Sequence, residues 1–248
     1  MSPLRLPWLD GPSDAPFPDP STALREPDGL LAAGGDLHPS RLLAAYRAGI
    51  FPWFSDGEPP LWWSPDPRVV FRTDRVAASR RFRRGLRTST WTVRADTAFD
   101  TVIALCAEVP RRGQRGTWIT GDMQAAYVRL HRLGHAHSVE AWDGERLVGG
   151  IYGVAIGRAF FGESMFSLVP DGSKVALAGL AARLHAWGWP LIDAQVGNPH
   201  LLSLGAEAWA RDAFLGAVAG LVDQPGLDGP WTVAFGELPA SDLAHPPP

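Results

Sequence analysis

The stretch Phe160-Phe161-Gly162-Glu163-Ser164-Met165-Phe166-Ser167 reads as a strand, and Leu191-Ile192-Asp193-Ala194-Gln195-Val196 reads as a second. Between them, Ser173 to Trp187 carries apolar residues at 177, 180, 181, 184 and 187. With Ser173 at its start and Gly188 just past its end, the segment predicts a capped amphipathic helix. Strand, helix, strand with no room for a further strand is a βαβ unit, so the two strands are expected to run parallel as neighbours. Alternation along the second strand turns Asp193 and Gln195 to one face, and Ile192, Ala194 and Val196 to the other. Glu163 lies among Phe, Gly and Met, where a carboxylate loses hydration unless donors or a cation meet it. Taken alone, such an acid reads as a structural group satisfied by amides or an arginine. Three polar groups converging at the ends of parallel strands read as a site.

Upstream, Ala136 to Trp142, Leu147 to Ile156 and Arg158 to Phe166 predict an antiparallel meander, with Asp143-Gly144 and Gly157-Arg158 as turns. Helices are expected over Pro39 to Ala48, stopped by Gly49, and over Thr97 to Val109, with Thr97 as its cap. Others are expected after Thr120 through Tyr127 to Gly134, from Asn198 to near Gly205, and last over Ala213 to Leu221, capped by Asp212. Residues 1 to about 28, rich in Pro, Asp and Ser, read as an extended strap. The expected organisation is an N-terminal domain with its strap over 1–67, a catalytic domain over 68–235 and a loose tail over 236–248.

A meander feeding a helix and then a parallel strand is the order of the acyl-CoA N-acyltransferase (GNAT) fold. The expected class is therefore α+β, a small N-terminal α/β domain followed by a GNAT-like mixed-sheet domain. In that fold the helix begins with a Gln/Arg-x-x-Gly-x-Gly/Ala loop that wraps the pyrophosphate of CoA. Here the same place reads Val169-Pro170-Asp171-Gly172-Ser173-Lys174, and Asp171 would repel a pyrophosphate. The fold is expected with a different acyl donor.

A chain of 248 residues with 46% hydrophobic content can bury a substantial core, and its net charge of -3 does not by itself call for a polyanionic partner. The single cysteine, Cys106, excludes an internal disulfide and a cysteine-based metal site, and suits a reducing compartment. No apolar run reaches membrane-spanning length and the start lacks the apolar core of a signal peptide, so a soluble cytoplasmic protein is expected. His135 and His137 straddle one residue with no third ligand in view, and are read as structural rather than metal-binding.

Charge is unevenly spread. From Arg68 to Arg87 there are eight arginines against one acid, Asp74, and Arg111, Arg112 and Arg115 form a second basic stretch. A charge run is usually a solvated face; a localised one in an acidic protein is also the footprint of phosphate contact. Beside it, Phe51, Trp53, Phe54, Trp62 and Trp63 crowd a proline-interrupted segment. Such rings either plug one domain against another or offer stacking platforms for a base.

Gly34-Gly35-Asp36-Leu37, Gly49-Ile50-Phe51-Pro52-Trp53-Phe54, Trp62-Trp63-Ser64-Pro65-Asp66-Pro67-Arg68, Gly116-Thr117-Trp118-Ile119-Thr120, Gly134-His135-Ala136-His137-Ser138, Gly162-Glu163-Ser164-Met165-Phe166-Ser167 and Asp193-x-Gln195-Val196 closely resemble, in order, the bacterial leucyl/phenylalanyl-tRNA protein transferases. The resemblance implies a cytoplasmic enzyme that moves Leu or Phe, and Met less well, from Leu-tRNA or Phe-tRNA to the N-terminal Arg or Lys of an acceptor protein, and a monomer is expected. The product is thereby marked for N-degron degradation, with no metal and no cofactor. By the same resemblance Asp193 and Gln195 orient and deprotonate the attacking amine and Glu163 holds the acceptor's N-terminal group. Alternatively, the vicinal ribose hydroxyl of the tRNA end moves the proton, and Asp193 only orients.

The resemblance also places Trp53 and Trp118, with Tyr127 beside them, on the terminal adenosine. It puts Phe160, Met165 and Ile192 around the donated side chain, and Arg80, Arg81, Arg83, Arg84 and Arg87 on the tRNA backbone. Members with Cys between the Asp and the Gln have Ala194 here, so no thiol at that position is essential. Three rivals share parts of this pattern: a CoA-dependent N-acetyltransferase, an aminoacyl-tRNA-dependent transferase with a non-protein acceptor, and a non-catalytic RNA-binding module.

Overall fold

The computed structural model describes residues 6–76, 79–109 and 118–244. The chain opens with the strap, whose β1 (Trp8–Leu9) runs parallel to β2 (Leu30–Gly34). Helix α1 (Pro39–Arg47) clamps it: the buried Arg41 donates to the carbonyls of Gly11 and Pro12 at 2.9 and 2.8 Å. The helix ends where Gly49 takes φ +70, a backbone only glycine adopts freely. Strands β3 (Phe51–Pro52) and β4 (Leu61–Trp63) complete a small sheet of order β1-β2-β4-β3.

The second sheet begins at once with β5 (Arg68–Arg72), followed by α2 (Arg80–Arg87), β6 (Thr92–Ala95), α3 (Phe99–Glu108) and α4 (Gly121–Arg132). The meander is β7 (Ala136–Asp143), β8 (Arg146–Ile156) and β9 (Ala159–Ser167), and the βαβ unit continues through α5 (Gly172–Ala186) into β10 (Leu191–Gln195). Then come α6 (Pro199–Ser203), β11 (Glu207–Trp209), α7 (Arg211–Val222), α8 (Thr232–Phe235) and β12 (Leu238–Pro239). Sheet order is β11-β5-β10-β9-β8-β7-β6-β12, with β9 and β10 parallel neighbours at mid-sheet and the other pairings antiparallel. The class is α+β. Among the described residues no helix is long and apolar enough to cross a membrane.

Both faces of the large sheet are covered, which is why its strands read as nearly continuous apolar runs. One face packs Val175, Leu177, Leu180 and Leu184 of α5, Leu86 of α2 and Phe235 of α8 against Phe160 and Ile192. The other packs α1, α3, α4, α7 and the small sheet, through Tyr46, Val102, Tyr127, Phe214 and Trp62, against Phe161 and Leu191. The small sheet therefore shares its core with the large one.

Two register shifts fall beside each other. Tyr152 pairs with Ser164 and Gly153 with Gly162, so Glu163 is an extra, unpaired residue in β9. Asp193 pairs with Val70 and Gln195 with Val69, so Ala194 is extra in β10. The first bulge resets side-chain parity. Phe160 and Met165, five residues apart and on opposite faces of a regular strand, both turn toward α5, and Phe161 and Phe166 both turn away. Gly153 faces that bulge, and a Cβ there would lie 2.2 Å from the Phe161 carbonyl oxygen.

Four sequence expectations are corrected. Ser173 does not cap α5: Asp171, at φ +70, is the N-cap residue, and the Ser173 amide is taken by Ser167 Oγ at 2.8 Å from the facing strand. Thr97 does not cap α3, which starts at Phe99; its hydroxyl donates to Glu140 instead, at 2.8 Å. Asp212 lies in the first turn of α7 without capping it, and α8 follows as a further helix. The tail expected to be loose over 236–248 is held as far as it is described: β12 pairs with β6, and Ala240 and Ala244 are buried in a 3-10 turn. The basic stretch Arg111, Arg112 and Arg115 lies outside the described residues.

Candidate active site

Glu163, lifted out of register by its bulge, points toward α1 and α4. Tyr46 of α1 donates to its Oε1 at 2.7 Å and Tyr127 of α4 to its Oε2 at 2.8 Å. Gln195, at φ +59 just past the second bulge, donates from Nε2 to the same Oε1 at 2.7 Å. Tyr46 and Tyr127 are also hydrogen-bonded to each other through their hydroxyls. The three groups form a closed ring with three edges, and two phenols supply only two protons. With Glu163 ionised both phenols donate to it and the edge between them holds no proton; with Glu163 neutral, its proton lies on the Tyr127 edge, Tyr127 turns to donate to Tyr46, and Tyr46 donates to Oε1, so each edge carries one proton. The electrostatics agree. Burial, with a smaller contribution from the Asp193 charge, pushes the Glu163 carboxyl up to about 7, against the pull of its donors. Burial, followed by the Glu163 charge, raises both phenols well above their ordinary value, so they act as neutral donors.

Asp193 is turned to the same face but is enclosed. It is 1% exposed, and Arg68, at 0%, meets it bidentately at 2.8 and 2.6 Å. Asp193 Oδ1 further accepts the Gln195 backbone amide at 2.9 Å. The Arg68 guanidinium lies 4.7 Å from the ring centre of Phe51 and 4.6 Å from that of Phe214. One side chain thus ties the small sheet, α7 and β10 together.

The apolar trio falls on the other face of the sheet. Phe160 and Ile192 are direct Cα partners across β9 and β10, both buried, and Met165 packs partly buried on the same layer. The carboxylate-amide group and this trio are separated by the sheet, whose parallel pairing ends at Phe161 and Asp193. Trp53 is 39% exposed, with its ring 5.6 Å from Trp63, and Trp118 is half-buried. Tyr127 is fully buried, its ring edge-on to Tyr152 at 5.5 Å, and offers a hydroxyl to Glu163 rather than a free face.

The arginine run divides. Arg68 is buried on Asp193, and Arg72 and Arg75 pair with Asp74. Arg80, Arg81, Arg83, Arg84 and Arg87 stand exposed on α2, which Phe82 and Leu86 hold to the core. The N-terminus of α5 is occupied by its own chain. Besides the Ser167 bond to Ser173, Asp171 pairs with Lys174 at 2.6 Å, and a Cβ on Gly172 would lie 2.2 Å from the Val148 carbonyl oxygen. His137 is a structural residue: its Nδ1 donates to Asp96 at 2.8 Å and its ring stacks on Trp231 at 4.0 Å. No three His, Cys, Asp or Glu side chains converge as a metal site requires, among the described residues. A cleft of roughly 390 Å³ lined by Arg72, His185, Leu191 and Trp209 lies at the other end of β5 and β10 and holds none of the expected site residues.

Sequence reasoning missed Tyr46 and the pairing of Arg68. A signal existed for the second. Arg68 shares a face with Val70, and Asp193 with Leu191, so two buried strands carried charges of opposite sign on the same face. Tyr46 gave no such signal.

Residues 70–219 match the family described as leucyl/phenylalanyl-tRNA protein transferase, and residues 35–66 match the N-terminal domain of that family. The chain is 65% identical over 241 residues to the leucyl/phenylalanyl-tRNA–protein transferase of Xanthomonas axonopodis pv. citri, covering 97% of each chain. It is 66% identical over 246 residues to that of Xanthomonas euvesicatoria pv. vesicatoria, covering 99% of this chain and 98% of the relative. The protein of that name from Xylella fastidiosa is 63% identical over 238 residues, covering 96% and 98%.

Proposed function

The chain belongs to the leucyl/phenylalanyl-tRNA protein transferase family and is an aminoacyltransferase, and from that premise we propose that it moves Leu or Phe from aminoacyl-tRNA to the N-terminal Arg or Lys of acceptor proteins in the cytoplasm, marking them for N-degron degradation. It acts as a monomer, with residues 1–67 as an N-terminal domain and 68–235 as a GNAT-like catalytic domain. The meander, the βαβ unit and the bulged parallel pair support the GNAT-like reading. The self-occupied start of α5 supports an acyl donor other than CoA.

The observation that carries the mechanism is the Gln195–Glu163 hydrogen bond at 2.7 Å beside the point where β9 and β10 stop pairing. An aminoacyl ester is already activated toward an amine, so holding two substrates in register supplies about 7 to 11 kcal/mol of the barrier. Gln195 and Glu163 receive the acceptor's α-amine, and the amine nitrogen attacks the ester carbonyl. The amide bond forms, the bond to the ribose oxygen breaks, and the amine's proton passes to that oxygen by way of the vicinal ribose hydroxyl. Both oxygens of Asp193 are engaged, which favours its orienting role over that of a base. Met165, partly buried beyond the end of the pairing of β9 with β10, takes the donated side chain, with Phe160 and Ile192 of the same layer behind it. Trp53 and Trp118 take the terminal adenosine, and the arginines of α2 take phosphates of the acceptor stem.

The test is transfer of labelled Leu from Leu-tRNA to a peptide starting with Arg, beside the same peptide starting with acetyl-Arg. Labelled product from the free N-terminus alone is expected; no product from either would overturn the reading.

A further inference from the structure

Gln195 holds an unfavourable backbone. Its φ of +59 lies in the left-handed region that a non-glycine residue enters rarely, and it follows the unpaired Ala194. What opposes a return to ordinary strand geometry is the bond from its own amide to Asp193 Oδ1 at 2.9 Å. Asp193 can accept that bond in a fixed direction only because Arg68 holds both its oxygens, and Arg68 is itself fixed between the rings of Phe51 and Phe214. A lysine offers neither the fork nor the flat stacking surface.

We infer that Arg68 is a positioning residue: acting through Asp193, it fixes the left-handed backbone of Gln195 and so aims the Gln195 amide at Glu163 and the attacking amine. The inference rests on the reading of Gln195 as the amine-orienting group. Arg68 opens β5, next to the small sheet that carries Trp53, and Phe51 lies two residues before that ring.

A staple that merely held the two sheets together would, if weakened, lower stability and tRNA affinity without selectively slowing transfer. Arg68→Lys keeps the buried charge, and its effect on transfer separates the two roles. The rate with saturating Leu-tRNA and Arg-peptide is expected to fall about 10- to 100-fold, the scale of a misplaced reacting group, while tRNA affinity stays within about threefold. Arg68→Met combined with Asp193→Asn removes both charges, which favours a folded protein. That double variant is expected to transfer as slowly as Asp193→Asn alone, because the two residues act as one unit. Multiplied effects, or a loss confined to tRNA affinity, would overturn the inference.

A crystal structure of Arg68→Lys decides the point independently of turnover. Gln195 is expected to leave positive φ and to lose its bond to Glu163. Retention of both would overturn the positioning role even if the wild-type chain transferred nothing, whereas absence of wild-type transfer with the expected displacement would count against the proposed function alone.

Discussion

Gln195 Nε2 lies 2.7 Å from Glu163 Oε1, joining the bulged residue of one parallel strand to the residue just past the bulge of the next. In regular strands these side chains would follow the two-residue alternation of their neighbours. Each bulge frees one residue from the ladder, and the pair meets where the strands part. The bond also couples the amide's direction to the protonation of Glu163, which yields the first expectation.

Folded Glu163 titrates near 7 against 4.5 for an ordinary glutamate, so the folded chain binds this proton more tightly than the unfolded chain. The stability it contributes is present in full below about pH 4.5 and is lost as the pH rises through about 7. At about 1.4 kcal/mol per unit, the loss is of the order of a few kcal/mol. Glu163→Gln carries an amide proton where the neutral acid carries its own, and keeps the ring with Tyr46 and Tyr127 closed at every pH. The variant is expected to melt close to wild type at pH 4.5 and above it at pH 8. Melting differences equal at the two pH values would show that Glu163 does not titrate in this window.

The start of α5 sits against the backbone of β8. A Cβ at Gly149 would lie 2.3 Å from the Gly172 carbonyl carbon, with no flexible side chain to yield. Gly149→Ala is expected to destabilise by about 1 to 3 kcal/mol, as overpacking does. Gly85, inside α2, has nothing within 4 Å of its missing Cβ, and Gly85→Ala is expected to stabilise by up to about 1 kcal/mol. Urea denaturation of both variants checks the contrast, and a stable Gly149→Ala would mean the helix can slide.

Arg80, Arg81, Arg83 and Arg84 project from a helix whose apolar face is fixed by Phe82 and Leu86. Changing all four to Gln removes charge without removing that anchor. Every phosphate no longer neutralised by an arginine is expected to take roughly 0.7 to 0.9 from the slope of log affinity against log salt. Filter binding of tRNA across a series of salt concentrations measures this, and an unchanged slope would put the tRNA elsewhere.

Much of this arrangement is legible in the sequence. Apolar spacing locates the βαβ unit, Asp193 and Gln195 do share a face, and the meander falls where its turn residues put it. The bulges are less legible. Gly162 hints at a bulge, as an isolated strand glycine does, but not at which residue is extra, because that is settled by what the neighbouring strand, here Gly153, leaves room for. Caps fail for a related reason. Ser173 and Thr97 have the right side chains at helix starts, but Ser173 bonds Ser167 and Thr97 bonds Glu140, so tertiary partners prevail over the local ones. Tyr46 stays hidden because it meets Glu163 across 117 residues of chain, and one tyrosine on a helix face has no pattern.

The aromatic residues expected around the terminal adenosine separate into two kinds by exposure. Trp53 presents 39% of its surface, whereas Tyr127 presents none and commits its hydroxyl to Glu163. Trp53→Ala is therefore expected to weaken binding of an aminoacyl-adenosine analogue by about 1 to 3 kcal/mol, the value of one base stacked on a ring. Tyr127→Phe keeps the ring and is expected to leave that affinity within about twofold. It strips Glu163 Oε2 of its hydrogen-bond partner, however, and should lower stability by about 1 to 3 kcal/mol, the penalty for a buried polar group left unpaired. Titration calorimetry with the analogue and thermal melts of both variants separate the two effects. If Tyr127→Phe weakened the analogue as much as Trp53→Ala does, the tyrosine hydroxyl would have to reach the ligand, and the closed ring with Tyr46 and Glu163 would have to open on binding.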